Sequence, residues 1–433
     1  MSRISSLHAR QILDSRGRPT VEVDVALEDG ATGRASVPSG ASTGSSEAHE
    51  LRDRDPQWFA GLGVTRAVAH VNTEIAAVMR GFDALDQRAV DTALIERDGT
   101  ANLARLGANA VLGVSLAVCR AAAASQNSTV YEWIARLSGT AIPTLPMPMI
   151  NILSGGLHAG RGMDVQDFLA MPIGAGSIGE AIHLVSRVRS SAAEVMAERG
   201  LPTLLADEGG LSPGLATGTE ALELMNEAVH RAGLEPGRDI VIAIDVAAHA
   251  FYEAETGDYS LAREGRRATA AEMSDMIADW VDAYPVVSVE DGLDEEDWPG
   301  WKALTDRLGD RVRLIGDDLF TTNPARLRRG IEEGCANGVL VKVNQNGTLS
   351  GTLEVIAAAR RAGYAPVISA RSGETEDSFI ADLAVGTAAG QIKIGSLRTS
   401  DRLAKYNQLL RIADDGIEAF DADSWRVSAV AAK

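Results

Sequence analysis

The sequence predicts an α/β fold, a barrel of βα units in the C-terminal two-thirds preceded by a smaller α+β domain. Apolar runs ending in a polar residue recur along the second part, with ends at Asp245, Glu290, Asp317, Lys342, Ser369 and Lys393. From Glu290 onward these ends stand 24 to 27 residues apart, the length of a strand plus its crossover helix. The runs are nearly all apolar, as strands covered on both faces are, so the repeat implies a parallel barrel. The first part has a different texture. Thr20–Leu27 alternates apolar and polar residues as a half-buried strand does, Ser36–Ser46 is rich in Gly and Ser, and Thr65–Leu137 is alanine-rich and helical in period. Prolines 143, 146 and 148 mark the junction, giving domains 1–140 and 141–433.

A chain of 433 residues with 45% hydrophobic content suits two domains with large cores. A net charge of -19 argues against nucleic acid or an anionic membrane as the main partner. Two cysteines, Cys119 and Cys335, have no partner motif, so neither a disulfide framework nor a cysteine-metal site is expected. No leader-like segment and no apolar run of membrane-spanning length is read, which predicts a cytoplasmic protein.

Of 41 Lys plus Arg, only five are lysines: Lys302, Lys342, Lys393, Lys405 and Lys433. Lys342 and Lys393 sit inside apolar runs, where burial lowers an amine pKa and a lysine, unlike arginine, can serve as a base. Asp245, Glu290 and Asp317 end three strands and would meet on one rim. Three carboxylates with open positions suit a hard cation such as Mg²⁺. A metal facing a neutral lysine is the arrangement for removing a proton α to a carboxylate. Glu208 in Asp207-Glu-Gly-Gly210 is a candidate acid for a leaving hydroxyl, although such a motif also reads as a turn. The loop Ser36–Gly44 offers N–H groups and hydroxyls to an anion, or is simply a mobile loop. Arg371-Ser372 suits a phosphate, or forms a surface salt bridge. His158, among glycines, reads equally as a mobile imidazole or a passive loop residue.

The chain resembles the enolase family from Ile4 to about Ile412. The motifs are Ala9-Arg-Gln-Ile-Leu-Asp-Ser-Arg-Gly17, Val37-Pro-Ser-Gly-Ala-Ser-Thr-Gly44, Asp207-Glu-Gly-Gly210, Ser288-Val-Glu-Asp-Gly-Leu-Asp-Glu295, Gly316-Asp-Asp-Leu-Phe320, Lys342-Val-Asn-Gln345 and Arg371-Ser-Gly-Glu-Thr-Glu-Asp377. The resemblance implies an enolase-type modified TIM barrel. It implies Mg²⁺ on Asp245, Glu290 and Asp317, and a second Mg²⁺ arriving with substrate near Ser39. It further implies Lys342 as base, Glu208 as acid, Lys393 on the substrate carboxylate, and Ser39, Arg371 and Ser372 on a phosphoryl group. A small phosphorylated acid would be the substrate, and a homodimer or larger even homo-oligomer the assembly.

The departures from the family pattern are informative. Ala370 replaces a usual histidine. Gln166-Asp167-Phe168 carries a shorter acid than the usual Gln-Glu-Phe, at a position the family places beside Glu208. Leu157 and Ile394 replace a serine and a threonine, and His249 stands where serine is usual. The base, ligands and phosphate clamp are intact while the neighbouring wall is trimmed, so two activities fit. One is the ordinary dehydration of 2-phosphoglycerate. The other is the same elimination on a modified 2-phosphoglycerate, as in a carboxyphosphonoenolpyruvate synthase of secondary metabolism. An inactive enolase-like scaffold or binding protein is the alternative of another class. His249 is expected to supply a replacement imidazole near the altered wall, or else to face solvent.

Overall fold

The computed structural model describes residues 2–41 and 44–427; Ser42 and Thr43 of the Gly/Ser-rich loop, and Lys433, lie outside the described residues. Three antiparallel strands open the chain, β1 (Ile4–Leu13), β2 (Pro19–Leu27) and β3 (Thr32–Ser36), in that spatial order. The period-two pattern of β2 buries Val21, Val23, Val25 and Leu27 on one face. A helical run from Thr65 to Met79 follows, with one π turn at Val71–Ile75. Then come α1 (Gln87–Asp98), α2 (Ala108–Ser125) and α3 (Val130–Ser138).

Helix α2 corrects one expectation. With a mean hydropathy of 1.4 over 18 residues it is long and apolar enough to cross a membrane, a run not anticipated from the sequence. It is buried over most of its length and packs on β2 and β3, so its apolarity is that of a core helix. A side chain at position 33 would collide with it, because a Cβ there would lie 2.2 Å from the Ala117 carbonyl oxygen; glycine permits the close approach of helix and sheet.

Eight strands then close a barrel: β4 (Met147–Ser154), β5 (Asp167–Met171), β6 (Val241–Asp245), β7 (Val286–Glu290), β8 (Arg313–Gly316), β9 (Gly338–Val341), β10 (Ala365–Ser369) and β11 (Gln391–Gly395). They pair in sequence order, and β11 closes on β4. The expected all-parallel barrel is corrected here. β5 runs antiparallel to both β4 and β6. The reason is the connection: β4 and β5 are joined by a loop over residues 155–166 with no crossover helix, and a short link can only reverse the chain. From β6 onward every pairing is parallel. The barrel interior is a packed core of Met147, Met149, Leu169, Met171, Val241, Ala243, Ile315, Leu340 and Val367.

Helices α4 (Ile178–Glu198), α5 (Gly218–Arg231), α6 (Ala270–Ala283), α7 (Trp298–Leu308), α8 (Pro324–Glu333), α9 (Leu349–Arg361), α10 (Phe379–Gly386) and α11 (Ser400–Asp414) complete the order. Capping boxes at Thr217/Glu220 and Thr269/Glu272 set the starts of α5 and α6. The N-terminal part leans on the barrel mouth. Ser39 and Gly373 exchange backbone hydrogen bonds, and Arg120 grips Asp377 with bonds of 2.6 and 2.7 Å.

Candidate active site

The polar strand ends read from the sequence converge at the C-terminal mouth of the barrel. Asp245 ends β6 and Glu290 ends β7, directly opposite each other in register. Asp317 is the residue after β8. All three are buried. The Lys393 ammonium, from β11, lies 2.7 Å from Asp245 Oδ2 and 2.8 and 2.7 Å from the two Glu290 oxygens. Burial alone would lower its pKa, but Asp245 and Glu290 raise it well above the usual value. Glu290 is pushed well up by burial and by the Asp245 charge.

Lys342, the residue after β9, forms an ion pair with Asp317 Oδ2. The expected lowering of its pKa is corrected: burial acts in that direction, but the Asp317 carboxylate outweighs it and the amine is raised. Asp317 is lowered in turn despite its burial. Its other oxygen accepts from Gln345 Nε2 at 2.9 Å.

A second group reaches the same cavity from the β4 and β5 side. Glu208 and His158 both line it and both are buried. His158 is therefore not a freely moving surface ring. Burial lowers its pKa, and its Nδ1 has no hydrogen-bond partner among the described residues. Asp167, on β5, lies behind this wall and accepts bonds from Asn151 Nδ2 at 2.6 Å and Ser154 Oγ at 2.7 Å. Burial, with Glu208 and Asp245 nearby, pushes Asp167 well up. For Glu208 burial also acts upward, but Arg402, His158, Lys393 and Lys342 together bring it below its usual value. The two carboxyls are thus shifted in opposite directions, Asp167 upward and Glu208 downward. Gly210 of the Asp-Glu-Gly-Gly turn is required by packing, since a Cβ there would lie 2.3 Å from Ser154 Oγ. Gln166 lines the cavity and donates from Nε2 to Asp245 Oδ2 at 3.0 Å.

Arg371 and Ser372 follow β10 and line the cavity; both are buried, which excludes a surface salt bridge for this arginine. Arg371 Nη1 donates to Glu47 Oε2 at 3.1 Å and to Asn344 Oδ1 at 2.8 Å. Ser372 Oγ accepts the Ala41 N–H at 2.8 Å. Ser39 is not brought to the cavity wall: its hydroxyl lies 3.1 Å from Glu50 Oε2 and accepts from Arg52 Nη2 at 2.7 Å. The backbone of Ser39, however, is bridged to Gly373, beside the Arg371-Ser372 pair. Ala370 lines the cavity, with no side chain beyond Cβ.

Several residues were not singled out from sequence. Glu47 and Asn344 hold Arg371, and Gln345 holds Asp317. Arg402 is fully buried and donates to the Arg371 and Ser372 carbonyls at 2.6 and 2.7 Å. Asp291 accepts the Asp317 and Asp318 N–H groups at 2.9 and 2.8 Å, fixing the turn after β8. Asp291, Asp317 and Asp318 form a cluster whose ligand oxygens lie within 4.8 Å of one another. Burial and Asp317 push Asp318 up to about 7. The signal for Asp291 and Asp318 was adjacency, since each is the neighbour of a predicted ligand.

The donor chemistry fits a divalent cation. Asp291, Asp317 and Asp318 are the set whose oxygens gather within 4.8 Å, whereas the expected ligands Asp245 and Glu290 meet at the Lys393 ammonium and Asp317 is paired with that of Lys342, two countercharges at buried carboxylates. A parallel barrel closed by one reversed strand, with acids and lysines at its C-terminal mouth, defines an enolase-type barrel protein. The sequence matches the family description "Enolase, C-terminal TIM barrel domain" over residues 142–422 and "Enolase, N-terminal domain" over residues 4–134. The chain belongs to the enolase family.

Proposed function

We propose that the protein is a Mg²⁺-dependent hydro-lyase that removes water from a 2-phosphoglycerate-type acid to give a phosphoenolpyruvate-type product. The observation that carries this reading is one cavity lined by Lys342 on the β9 side and by Glu208 and His158 on the β4 side. An α,β-elimination needs such an arrangement, a base for the α-proton and an acid for the leaving hydroxyl. Mg²⁺, when bound by Asp245, Glu290 and Asp317, supplies the positive charge that stabilises the substrate carboxylate as its α-proton leaves and competes with the two ammonium groups for these carboxylates.

Lys342, once released from Asp317 and having lost its own proton, takes the α-proton. Glu208 delivers a proton to the leaving hydroxyl. Lys393 binds the substrate carboxylate. Arg371 and Ser372 take the phosphoryl group, with Arg371 exchanging Glu47 for it as a bidentate partner. Ala370 and the shortened Asp167 favour a second reading, a paralogue that runs the same elimination on a modified 2-phosphoglycerate, in the manner of a carboxyphosphonoenolpyruvate synthase.

The test is enol formation from 2-phosphoglycerate with Mg²⁺, followed by ultraviolet absorbance, with Lys342→Ala as control. Turnover on the order of 1–10³ s⁻¹ that disappears in the variant supports the first reading. Turnover lower by about 10²-fold or more, with phosphoenolpyruvate still bound, supports the second. Neither turnover nor binding would overturn both.

A further inference from the structure

We propose that Arg402 and Lys405 of α11 are positioning residues, which set the phosphoryl-binding pair Arg371-Ser372 at its working distance from Lys393. The inference rests on the hydro-lyase reading above and adds how this chain fixes the span between the two anionic groups of its substrate.

Lysine is scarce in this chain, and Lys405 is one of five. It has no part in the proton or substrate steps above, yet it is fully buried, and so is Arg402. A helix on the outside of a barrel is expected to bury an apolar stripe. Here Arg402, Lys405 and Tyr406, spaced i, i+3 and i+4, put three polar side chains on one inward face, ahead of the apolar Leu409 and Ile412. Burying a cation is costly unless it is paired and hydrogen-bonded, and both of these are.

Their partners are the chain segments that carry the site. Past Ser369 the chain leaves the β10 ladder, and its buried carbonyls need new donors. Arg402 Nη1 donates to the Arg371 carbonyl at 2.6 Å, and Nη2 to the Ser372 carbonyl at 2.7 Å. Nη1 also donates to the carbonyl of Ile394, the residue after Lys393, at 3.0 Å. One planar guanidinium thus spans the exits of β10 and β11, between the phosphoryl-binding pair and the lysine that takes the carboxylate. Its countercharge is Asp401, with Oδ2 2.8 Å from Nε. Lys405 Nζ donates to the Thr375 carbonyl at 2.6 Å and pairs with Glu374 Oε2 at 2.9 Å. The other oxygen of Glu374 accepts the Arg371 N–H at 2.9 Å. Arg371 is therefore held at its N–H by Lys405 through Glu374, and at its carbonyl by Arg402. Tyr406 Oη donates to the Gly395 carbonyl at 2.7 Å and completes the hold on β11. Gly395 has a φ of 114°, and a Cβ there would lie 2.9 Å from the Glu208 carbonyl oxygen and 3.1 Å from Arg402 Cδ, so the helix and the strand end meet without slack. Neither cation lines the cavity, so both act through the groups they hold.

Phosphoenolpyruvate engages both subsites at once, whereas Mg²⁺ on Asp245, Glu290 and Asp317 uses neither. The experiment is calorimetric titration of wild type, Arg402→Lys and Lys405→Met, first with Mg²⁺ alone and then with phosphoenolpyruvate on the Mg²⁺-loaded proteins. Arg402→Lys keeps the charge and loses the fork, and Lys405→Met keeps the length and loses the donor. Both variants are expected to bind phosphoenolpyruvate about 10- to 100-fold more weakly, the scale of a small misplacement of a positioned group, with Mg²⁺ affinity unchanged. Lys405→Met leaves Glu374 without its countercharge, so Lys405→Met combined with Glu374→Gln, which carries no unpaired charge, is read if the single variant does not fold. A wild type that binds phosphoenolpyruvate, with variants that match it, overturns the inference alone. So do variants that lose Mg²⁺ affinity in step with phosphoenolpyruvate, because that marks general distortion of the barrel mouth. A Mg²⁺-loaded wild type that does not bind phosphoenolpyruvate overturns the hydro-lyase reading with it.

Discussion

Replacing Lys393 by methionine keeps most of the side-chain length and removes one charge. In the wild type that ammonium makes three contacts of 2.7–2.8 Å with Asp245 and Glu290, both buried. Removing one partner of a buried ion pair leaves an uncompensated charge, worth about 3–5 kcal/mol. At this chain size that corresponds to a Tm loss of roughly 3–6 °C. The direction of the Glu290 shift adds a pH signature. A carboxyl whose folded pKa lies above its unfolded value favours the folded state at low pH, and that contribution is lost as pH rises. Without Lys393 this penalty grows, so the deficit should be larger at pH 8 than at pH 5. Thermal unfolding in chelator at the two pH values is the assay. Added Mg²⁺ should raise the Tm of the variant more than that of the wild type, because the cation restores the missing charge. A variant within about 2 °C of wild type in chelator, or with equal deficits at both pH values, would refute the reasoning.

Three further outcomes are expected. Asp377→Asn should destabilise the protein by about 3–5 kcal/mol at pH 7, since it breaks the Arg120 pair at the seam between the N-terminal part and the barrel. Asp377 is held below its usual pKa by Arg120, against its burial, so its contribution is present above pH of about 4 and is lost as pH falls further; denaturant unfolding of both proteins at pH 7 and pH 3 should show the gap closing. Arg402→Met should lower Tm and also let the Glu208 pKa rise, because Arg402 is the leading group holding it down; the alkaline limb of the pH–rate profile, where the proton donor is lost, should move upward with it. Cys119 and Cys335 should resist thiol reagents in the native state, since both are buried, Cys119 is shifted upward and Cys335 is pushed up to about 11 by burial.

The regular half of the barrel was legible because each βα unit repeats the same length, which places Glu290, Asp317, Lys342 and Ser369 at or directly after strand ends without any knowledge of tertiary contacts, whereas Lys393, also expected at an end, falls in the middle of β11. The reversed strand β5 was not. Its connection over residues 155–166 is glycine-rich and lacks the helix that the repeat trains the eye to expect. The core helix α2 was missed as an apolar run because Arg120 interrupts it, yet that arginine is spent on Asp377 at the seam. Lys342 shows a different limit. An apolar run around a lysine predicts desolvation, whereas the sign of the pKa shift depends on Asp317, which comes from another strand. Ser39 illustrates the same point for hydroxyls, since Arg52 and Glu50 engage it from within its own loop. Asp291 and Asp318 carry no spacing signal of their own, because their work is to receive backbone N–H groups and to share charge with Asp317 in three dimensions.

The central claim is that the base and the acid of an elimination sit on two sides of one cavity, at Lys342 and Glu208. Solvent deuterium exchange at the α-carbon of 2-phosphoglycerate, read by NMR with Mg²⁺ alongside product formation, separates the two steps. Glu208→Gln is expected to keep exchange while product formation falls by about 10²-fold or more, and Lys342→Ala to lose both. Exchange that survives in Lys342→Ala, or that disappears in Glu208→Gln together with elimination, would contradict it.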